Sequence, residues 1–468
     1  MAVFVELMAF SDEQLHEVHE KTLYLLETTG LIFKHEPTLE LLARHGAMVE
    51  GNLVKFPSKL INEALEMVPS EFTVVGRNRD KSVKIGNGSL VFAPTSGEVF
   101  VHDIERGRRE GTLKDLENFI KLCQSSDVIG VADVAIVDPS GLKGDEIVCL
   151  SMQEGIKNSD KPLQGLSVGS RQSELSIQMG KIATQATHGE HYLMGIINTF
   201  SPLAWDKNML DALWSYCSAD QPVVITCCSM GGSSAPVSLA GSIVQNNVEI
   251  LAGVVVAQLI RPGVPVVYGN TSSITDMKTM SLATGAPEFS LMEIAACQLA
   301  RFYKLPFRGG GGLTDAKEVD VQAGIESATN LFCTFAINAD YILHGLGMTD
   351  GFMTVSYEKW IIDEEICGRL RRFYNGVDPL SNDIIQTIQD VGPFGSYLSH
   401  PSTFENFKKE FYMPTISDRD NWEKWSKNKT SILVNANKAW KKRITEFEAP
   451  PLLPKVEKEL AEFVEKHI

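Results

Sequence analysis

Short runs of apolar, often β-branched residues recur through the middle of the chain at nearly regular intervals. They lie near positions 92, 131, 163, 193, 223, 265, 306 and 340, so successive runs begin 30 to 42 residues apart. Between the runs, apolar residues recur every three or four positions, as in amphipathic helices. The runs themselves are almost continuously apolar, which is typical of parallel strands buried on both faces. The pattern therefore predicts eight repeats of a strand followed by a helix.

Eight strand–helix units over about 250 residues match the count and size of a (β/α)₈ barrel. We therefore predict an α/β fold in which residues 86–374 form a TIM barrel. A doubly wound open sheet is the alternative. It would usually contain fewer units and a G-x-G-x-x-G motif near its first strand, and the first predicted strand lacks that motif.

The segments on either side of the predicted barrel have a different pattern. Residues 1–85 are predicted to form an α-rich N-terminal region, because Ser11 and Gln14 make a capping box and a second helical pattern follows Pro57. Residues 375–468 contain helical pieces separated by proline-rich breaks and are predicted to form a helical extension. We expect this extension to pack on the barrel or on another subunit, and we expect a homo-oligomer.

Composition excludes some classes of function. The formal net charge of -16 argues against a nucleic-acid partner, since phosphates need a basic surface. The longest apolar run, ILAGVVVAQLI, has 11 residues, fewer than the roughly 20 that span a bilayer, so no membrane segment is expected. The eight cysteines are scattered and form no C-x-x-C pair, which favours free thiols in a reducing compartment. A cytoplasmic protein is expected.

Small or polar residues follow most of the predicted strands, and in a barrel all these positions share the face that carries active sites. Asn198, Asn270 and Thr271 end two strands, and His344 is the only one of ten histidines at such an end. The glycines Gly309–Gly312 follow the seventh strand, where backbone without side chains permits a close approach. Phosphate binding is the rival explanation for these glycines, but the stretch lacks the Walker spacing.

A metal site is not expected. The stretch HGEH at 188–191 resembles a zinc motif, but it precedes the fourth strand and so lies at the opposite end of the barrel.

Two stretches carry a resemblance to a known family. GGGGLTDAKEVDVQAGIESATN, from Gly309, and ADYILHGLGMTDG, from Ala339, resemble the trimethylamine methyltransferase superfamily. The similarity is greater to the branch without pyrrolysine, which demethylates quaternary amines such as glycine betaine. The resemblance implies a barrel enzyme that moves a methyl group from an amine to the Co(I) of a corrinoid, giving a tertiary amine and methyl-Co(III). It also implies that a separate carrier protein supplies the corrinoid.

The chain has no pyrrolysine, the residue that is thought to hold trimethylamine through an electrophilic imine. Trimethylamine has a lone pair that can add to an imine, whereas a quaternary ammonium group has none. The absence of pyrrolysine therefore argues against trimethylamine as the substrate and leaves betaines as possible substrates.

The chemistry that the resemblance implies requires a cation site, a carboxylate clamp and a smooth surface for the corrin, because the cofactor performs the difficult step. Aromatic faces and acids attract quaternary ammonium groups, and cationic or neutral donors bind a carboxylate. His344 is the catalytic candidate, near the corrin, and the glycines Gly309, Gly310, Gly311 and Gly312 are the candidate corrin surface. The substrate-binding candidates are Tyr268, Phe352, Tyr357, Trp360 and Asp315 for the cation, and Arg308, Asn198, Asn270 and Thr271 for the carboxylate.

Other functions remain open at this point. Proline betaine, carnitine and γ-butyrobetaine are rival substrates, because the resemblance does not fix the tail of the amine. A non-catalytic betaine-binding protein would share the cation site but would not need the corrin surface. An unrelated barrel lyase or hydrolase would place paired carboxylates at strand ends, where only Asp133 and Asp315 are candidates.

Overall fold

The computed structural model of the chain describes residues 7–377 and 383–468. The predicted N-terminal region includes residues 1–6, and the predicted extension includes residues 378–382. Those portions of the two predictions lie outside the described residues.

A ring of eight parallel strands forms the centre of the fold, and each predicted apolar run contains one of them. The N-terminal elements are α1 (Asp12–Thr28), β1 (Leu31–Phe33), α2 (Glu36–Arg44), β2 (Met48–Glu50), β3 (Leu53–Lys55), α3 (Ser58–Met67), β4 (Phe72–Val74) and β5 (Val83–Ile85). The barrel and its insertions follow as β6 (Val91–Phe92), β7 (Phe100–Asp103), β8 (Gly107–Glu110), α4 (Leu113–Gln124), β9 (Ala132–Asp133), α5 (Asp145–Asn158), β10 (Leu163–Gln164), α6 (Gly169–Thr184), β11 (Leu193–Asn198), β12 (Ala204–Trp205), α7 (Lys207–Ser218), β13 (Val223–Cys227), β14 (Met230–Gly231), α8 (Leu239–Ile260), β15 (Val266–Asn270), β16 (Ser273–Thr275), β17 (Leu282–Ala283), α9 (Pro287–Phe302), β18 (Phe307–Gly309), α10 (Val321–Ala336), β19 (Tyr341–Ile342), β20 (Met348–Thr349), β21 (Thr354–Ser356) and α11 (Tyr357–Tyr374).

The ring of strands is closed. Its order is β6-β19-β18-β15-β13-β11-β10-β9, and all neighbouring strands pair in parallel. The backbone N–H groups of Gly130 and Val131, just before β9, donate to the carbonyl oxygen of Phe92 in β6 at 2.8 and 3.1 Å and join the two ends. The predicted TIM barrel is therefore confirmed.

The interior of the barrel is apolar at its base. Val91, Met194, Val224 and Val267 fill it from different strands, and the β4–β5 hairpin lies beneath them because its own apolar residues join the same buried cluster. The amino ends of the strands are thus plugged, and only the carboxyl ends remain for a site. Two small sheets, β20-β21-β7-β8 and β14-β16-β17, arise from loops at those ends and surround the mouth.

The N-terminal region contains the predicted helices and shares its core with the barrel. Ser11 and Gln14 form the reciprocal capping box of α1, as predicted, and α3 begins directly after Pro57. Strand β1 pairs in parallel with β12, which lies in a loop of the barrel. The region is therefore a lateral support of the barrel, with five short strands in addition to its helices.

Among the described residues, one helix is long and apolar enough to cross a membrane by length and composition. This helix, α8, lies in the outer layer of the barrel, where 83% of its most apolar window is buried by the rest of the fold. Burial on nearly all sides explains its composition, because helices buried on all faces are apolar all round.

The C-terminal extension is helical, as predicted. Helix α15 packs on α4 and α11, and helix α16 packs on α5 and α6, so this part of the extension covers the outside of the barrel. The extension consists of α12 (Asp383–Val391), α13 (Pro401–Glu410), α14 (Trp422–Asn428), α15 (Ile432–Thr445) and α16 (Pro454–His467), with a 3₁₀ turn at Tyr397–Ser399.

Candidate active site

The carboxyl ends of the barrel strands enclose a cavity of about 410 Å³. Its wall is formed by side chains that the strands direct into the barrel and by residues of the loops that follow. This end of a barrel is where enzymes of the fold carry their active sites. The predicted site residues that line the cavity are Asn198, Thr271, Arg308, His344 and Phe352.

Arg308 is the only lining residue with a permanent charge, and it is 1% exposed. Its Nη1 donates to the carbonyl oxygen of Asn270 at 2.5 Å and to Oγ1 of Thr271. Its Nε is buried without a hydrogen-bond partner, and in the described part of the chain no carboxylate oxygen lies within 4.0 Å of the guanidinium. A buried charge without an ionic partner is costly. The guanidinium at the cavity wall is therefore a candidate partner for a carboxylate.

His344 follows β19 and is held as a neutral imidazole. Its Nδ1 accepts from the backbone N–H of Ser96 at 3.3 Å and lies 3.1 Å from Oγ1 of Thr95. Since Nδ1 is an acceptor, the proton of the neutral ring belongs on Nε2. Burial, with the nearby charge of Arg308, lowers the pKa of His344 well below its usual value. The residue therefore provides a neutral ring at the edge of the cavity.

The loop between His344 and Phe352 has an unusual backbone. Both residues have left-handed conformations, with φ of 56° and 70°, and Gly347, Asp350 and Gly351 between them also have positive φ. Such conformations cost roughly 1–3 kcal/mol in a residue other than glycine and are concentrated at functional sites. The conformation brings the two rings together, with centroids 4.6 Å apart. The loop thus places one aromatic face on the cavity wall.

Two buried acids lie behind the wall near His344. Glu98 accepts a hydrogen bond from Thr95, its Oε1 lies 3.8 Å from Nδ1 of His344, and its Oε2 has no partner. Burial raises the pKa of Glu98 well above its usual value, with a further contribution from Asp133. Burial also raises the pKa of Asp133 to about 7. A nearby cation would favour the ionised form of both acids.

The cavity is electrically polarised across the barrel. Arg308 belongs to β18, and Asp133 belongs to β9, three strands away around the eight-stranded ring. The side-chain amide of Gln164, a lining residue on β10 opposite β18, donates to Asp133. The fixed positive charge of Arg308 therefore lies three strands from Asp133, while a second buried acid, Glu293, interacts with the guanidinium from the helical layer behind it.

The four glycines after β18 are buried, and none of them lines the cavity. A Cβ on Gly311 would lie 2.5 Å from Cα of Gly345, and one on Gly312 would lie 2.8 Å from the carboxyl group of Asp363. The predicted flat surface for a corrin is therefore wrong for Gly309–Gly312. Close approach does require these glycines, but the protein's own loop after β19 is what approaches them.

A buried ion pair fixes these two loops against each other. Nζ of Lys359 donates to Asp363 at 2.5 Å and to the carbonyl oxygen of Gly312 at 3.0 Å. Asp363 in turn accepts from the backbone N–H of Gly347 at 2.8 Å. The glycine turn and the strained loop are thus held as one unit.

The side chains of Asn270 and Tyr268 point away from the cavity. Asn270 donates to Glu293 at 3.0 Å, and the hydroxyl of Tyr268 donates to Asn247 at 3.0 Å, both in the helical layer. Asn198 pairs with Thr226 on the next strand, and Thr226 pairs with Gly269 on the strand after that. Asn270 is therefore one residue beyond the position that is level with Asn198. A shift of one residue along a strand reverses the face of the side chain. The prediction that Asn270 and Tyr268 bind substrate is therefore wrong.

Three further candidates lie outside the cavity. Tyr357 stacks on Trp440 with ring centroids 4.4 Å apart, and Trp360 packs on Phe119 at 5.6 Å. Both rings belong to α11 on the outside of the barrel. Asp315 accepts from the backbone N–H groups of residues 284 and 285 at 2.8 and 2.9 Å and stabilises a loop. These side chains are structural, and of the predicted aromatic cage only Phe352 lies at the cavity.

The structure adds residues that the pattern of strand ends did not single out. Glu98 lies in a loop beyond the first strand, where nothing in the sequence marks it as buried. Gln164 and Cys228 line the cavity from β10 and from the end of β13. Side chains two residues apart on a strand point to the same face, so Cys228 is expected to face the cavity together with Thr226. Cys228 is the one exposed cysteine of the eight.

Within residues 7–377 and 383–468, no group of three or more histidine, cysteine, aspartate or glutamate side chains is arranged to hold a metal ion.

A closed (β/α)₈ barrel with a polarised cavity at its carboxyl end defines a protein that binds a small polar molecule. The family model of trimethylamine methyltransferase (MTTB) matches residues 3–468. The chain belongs to this family.

Several known proteins are similar over most of their length. The chain is 37% identical to a glycine betaine methyltransferase of Desulfitobacterium hafniense (strain Y51), covering 97% of this chain and 96% of that protein. It is 32% identical to an L-carnitine:corrinoid methyltransferase of Eubacterium limosum, with 94% and 93% covered. A proline betaine:corrinoid methyltransferase of the same organism is also 32% identical, with 87% of each chain covered.

The fold resembles that of a solved structure. The monomethylamine methyltransferase (MtmB) of Methanosarcina barkeri superposes with a TM-score of 0.53 at 12% identity, covering 95% of this chain and 89% of that chain. At this identity the likeness shows the barrel fold alone.

Proposed function

We propose that this protein transfers a methyl group from a quaternary ammonium carboxylate, glycine betaine in the first place, to the Co(I) of a corrinoid held by a separate carrier protein. The observation that carries the proposal is the buried Arg308, which lines a cavity of about 410 Å³ and has no carboxylate partner among the described residues. Family membership and the names of the similar proteins supply the reaction class.

The polarity of the cavity matches a zwitterion. The substrate carboxylate binds the guanidinium of Arg308, with Thr271 in contact with the same group. Asn198 lines the cavity from β11, three strands further around the ring. The methylammonium group then lies toward Phe352 and His344, next to the acids behind the wall. A trialkylammonium group is attracted to an aromatic face by roughly 0.5–2 kcal/mol, depending on desolvation. The substrate is thereby oriented as well as bound.

The reaction is an in-line displacement at the methyl carbon. The electron pair of Co(I) forms the new cobalt–carbon bond, and the pair of the broken carbon–nitrogen bond stays on nitrogen. The products are methyl-Co(III) and a neutral tertiary amine, so no proton has to be delivered to the leaving group. A neutral His344 fits this requirement, since its pKa is lowered by burial and by Arg308.

His344 is proposed as the catalytic residue at the methyl end of the substrate. Its ring contacts the cavity, and its Nδ1 accepts from the backbone N–H of Ser96, so its orientation is set before the substrate arrives. Positioning of this kind is the contribution that a protein makes when the cofactor performs the chemistry. Of the residues predicted to contact the corrin, His344 is the one for which we keep that prediction.

The tail of the amine is the open part of the substrate. A cavity of about 410 Å³ holds a small betaine with space left over, and proline betaine, carnitine and γ-butyrobetaine share the same two charged ends. Glycine betaine is placed first because the similar protein with that name is 37% identical, against 32% for the two others.

A cytoplasmic location is part of the proposal. All eight cysteines are free, which fits a reducing compartment.

The proposal is tested by mixing the purified protein anaerobically with chemically reduced cobalamin and one betaine at a time. The Co(I) absorption band is expected to disappear as methylcobalamin forms, fastest with glycine betaine. The control variant is Arg308→Met, which lacks the proposed carboxylate partner. The control substrate is tetramethylammonium, which has the cation but no carboxylate.

Three outcomes separate the candidate functions. Methyl transfer that depends on Arg308 supports the proposal. Binding of betaine by calorimetry without any spectral change identifies a betaine-binding protein instead. Absence of both binding and transfer with every betaine would contradict a quaternary amine as substrate.

A further inference from the structure

Residues 383–409 form an arm that leaves and rejoins the barrel at a single point. Nη1 of Arg372, on α11, donates to the carbonyl oxygen of Gly376 at 2.7 Å, just before the arm. Nε of the same residue donates to the carbonyl oxygen of Glu410 at 2.6 Å, directly after the arm. One guanidinium therefore holds both ends, and the arm is an excursion from the helical layer.

The arm has no core of its own. No residue between 383 and 409 is buried, and this includes every side chain of α12 and α13. Seven of its large apolar side chains are instead exposed: Ile384 by 38%, Ile385 by 68%, Ile388 by 55%, Phe394 by 109%, Tyr397 by 45%, Leu398 by 90% and Phe404 by 84%. After the arm the chain becomes buried again at Ile416.

The exposed apolar area of the arm is large for a free surface. Each phenylalanine presents roughly 150–250 Å², so Phe394 and Phe404 alone expose on the order of 300–500 Å². The largest apolar patch on a typical monomer is about 300–600 Å². With the three isoleucines, Leu398 and Tyr397 added, the summed apolar area of the arm approaches the roughly 800 Å² that each partner contributes to a stable interface.

The helices of the arm need a permanent cover. Helix α12 has 9 residues and α13 has 10. Isolated helices shorter than about 12–15 residues are marginal in water, because helical stability in proteins comes mainly from packing of an apolar face. A partner that arrives and leaves in each catalytic cycle would leave them uncovered between visits. On the proposed function the corrinoid carrier is such a partner, so it is not the occupant.

The charge of the arm permits contact between identical chains. Its acids are Asp383, Asp390 and Glu405 and its bases are Lys408 and Lys409, so its formal charge is 2 − 3 = −1, whereas the chain as a whole carries -16. Like charges placed opposite each other destabilise an interface. The nearly neutral arm is therefore a surface on which two copies can meet.

We infer that the arm, residues 383–409, is a dimerisation surface whose occupant is a second copy of this chain. In the symmetric form of this contact, the apolar face of each arm packs on the partner's equivalent face, as is usual for dimers with a twofold axis.

The test measures the mass of the full-length protein in solution by light scattering and sedimentation, without substrate or carrier. The wild type is expected as a dimer or a multiple of a dimer at micromolar concentration. The double variant Leu398→Asp/Phe404→Asp is expected to be monomeric, with an unchanged circular dichroism spectrum of the barrel. The control variant is Tyr24→Asp, which changes a side chain of α1 that is 66% exposed and should keep the wild-type mass.

Hydrogen exchange gives a second measurement that does not depend on a variant. Amides of α12 and α13 should be protected in concentrated protein and should lose protection on dilution, while the barrel strands remain protected. A monomeric wild type, a double variant of wild-type mass, or protection of the arm only after a corrinoid carrier is added would overturn the inference. None of these results involves methyl transfer, so failure here is distinct from failure of the proposed function.

Discussion

Replacement of Arg308 by methionine separates substrate binding from stability. Arg308 is 1% exposed, its Nε has no partner, and its lost hydrogen bonds are those to Asn270 and Thr271. Methionine fills a similar volume without a charge. Methionine removes the cost of burying a charge without an ionic partner, which offsets the loss of these two hydrogen bonds. We therefore expect a melting temperature within about 4 °C of the wild type.

Activity should respond very differently from stability. Hydrogen bonds to a charged group contribute about 1.5–3 kcal/mol each, so losing a two-pronged contact with the betaine carboxylate removes about 3–6 kcal/mol. Since 1.4 kcal/mol is a factor of ten, kcat/KM for glycine betaine should fall by about 10²–10⁴-fold. The activity with tetramethylammonium, which has no carboxylate, should change little.

The assay is the cobalamin spectral assay with both amines, alongside thermal unfolding of each variant. Arg308→Lys should recover part of the lost kcat/KM, because it restores the charge without the planar fork. Wild-type kcat/KM in Arg308→Met would refute the assignment of the carboxylate to this residue. An equal loss with tetramethylammonium would show that Arg308 acts on the barrel structure rather than on the carboxylate.

Three other predictions concern the opposite side of the cavity and the glycine turn. Betaine affinity should rise as pH increases through about 7, because burial raises the pKa of Asp133 to about 7 and a bound cation favours its ionised form. Calorimetry at several pH values measures this, and Asp133→Asn should remove the pH dependence. An affinity of the wild type that does not change with pH would contradict the prediction. His344→Ala should slow methyl transfer by at least about tenfold, as expected for loss of a positioning group, while the melting temperature falls little; a large fall in melting temperature with full activity would exclude a functional role. Gly311→Ala should destabilise the fold by about 1–3 kcal/mol through overpacking, because its Cβ would lie 2.5 Å from Cα of Gly345. The control is Gly324→Ala, at a helical position where a Cβ would have nothing within 4 Å. In denaturant unfolding this control should be neutral or stabilising. Equal stability of the two alanine variants would contradict the packing role of the glycine turn.

The barrel was predictable because its signal is local and repeated. Parallel strands covered by helices must be apolar on both faces, so runs such as those at Val223–Cys227 and Val266–Asn270 stand out without any knowledge of their neighbours. The arm is the opposite case. Its helices are also visible as patterns, but what covers them depends on contacts outside the chain.

The site was predictable only in part, because its residues depend on register and on loop paths. Asn198 and Asn270 look equivalent in the sequence, yet their neighbours in the sheet place them on opposite faces. The four glycines do mark a close approach, but a sequence does not say whether a ligand or another loop approaches. Glu98 lies in a loop, and only its buried surroundings distinguish it from an ordinary surface acid.

The central claim is that one cavity orients a betaine, with its carboxylate at Arg308 and its methyl groups at Phe352 and His344. A crystal structure of the protein with glycine betaine tests this most directly. We predict a carboxylate oxygen within hydrogen-bond distance of the guanidinium of Arg308 and the nitrogen of the ligand beside Phe352 and His344. A ligand bound in the reverse orientation, or outside the barrel mouth, would contradict the account.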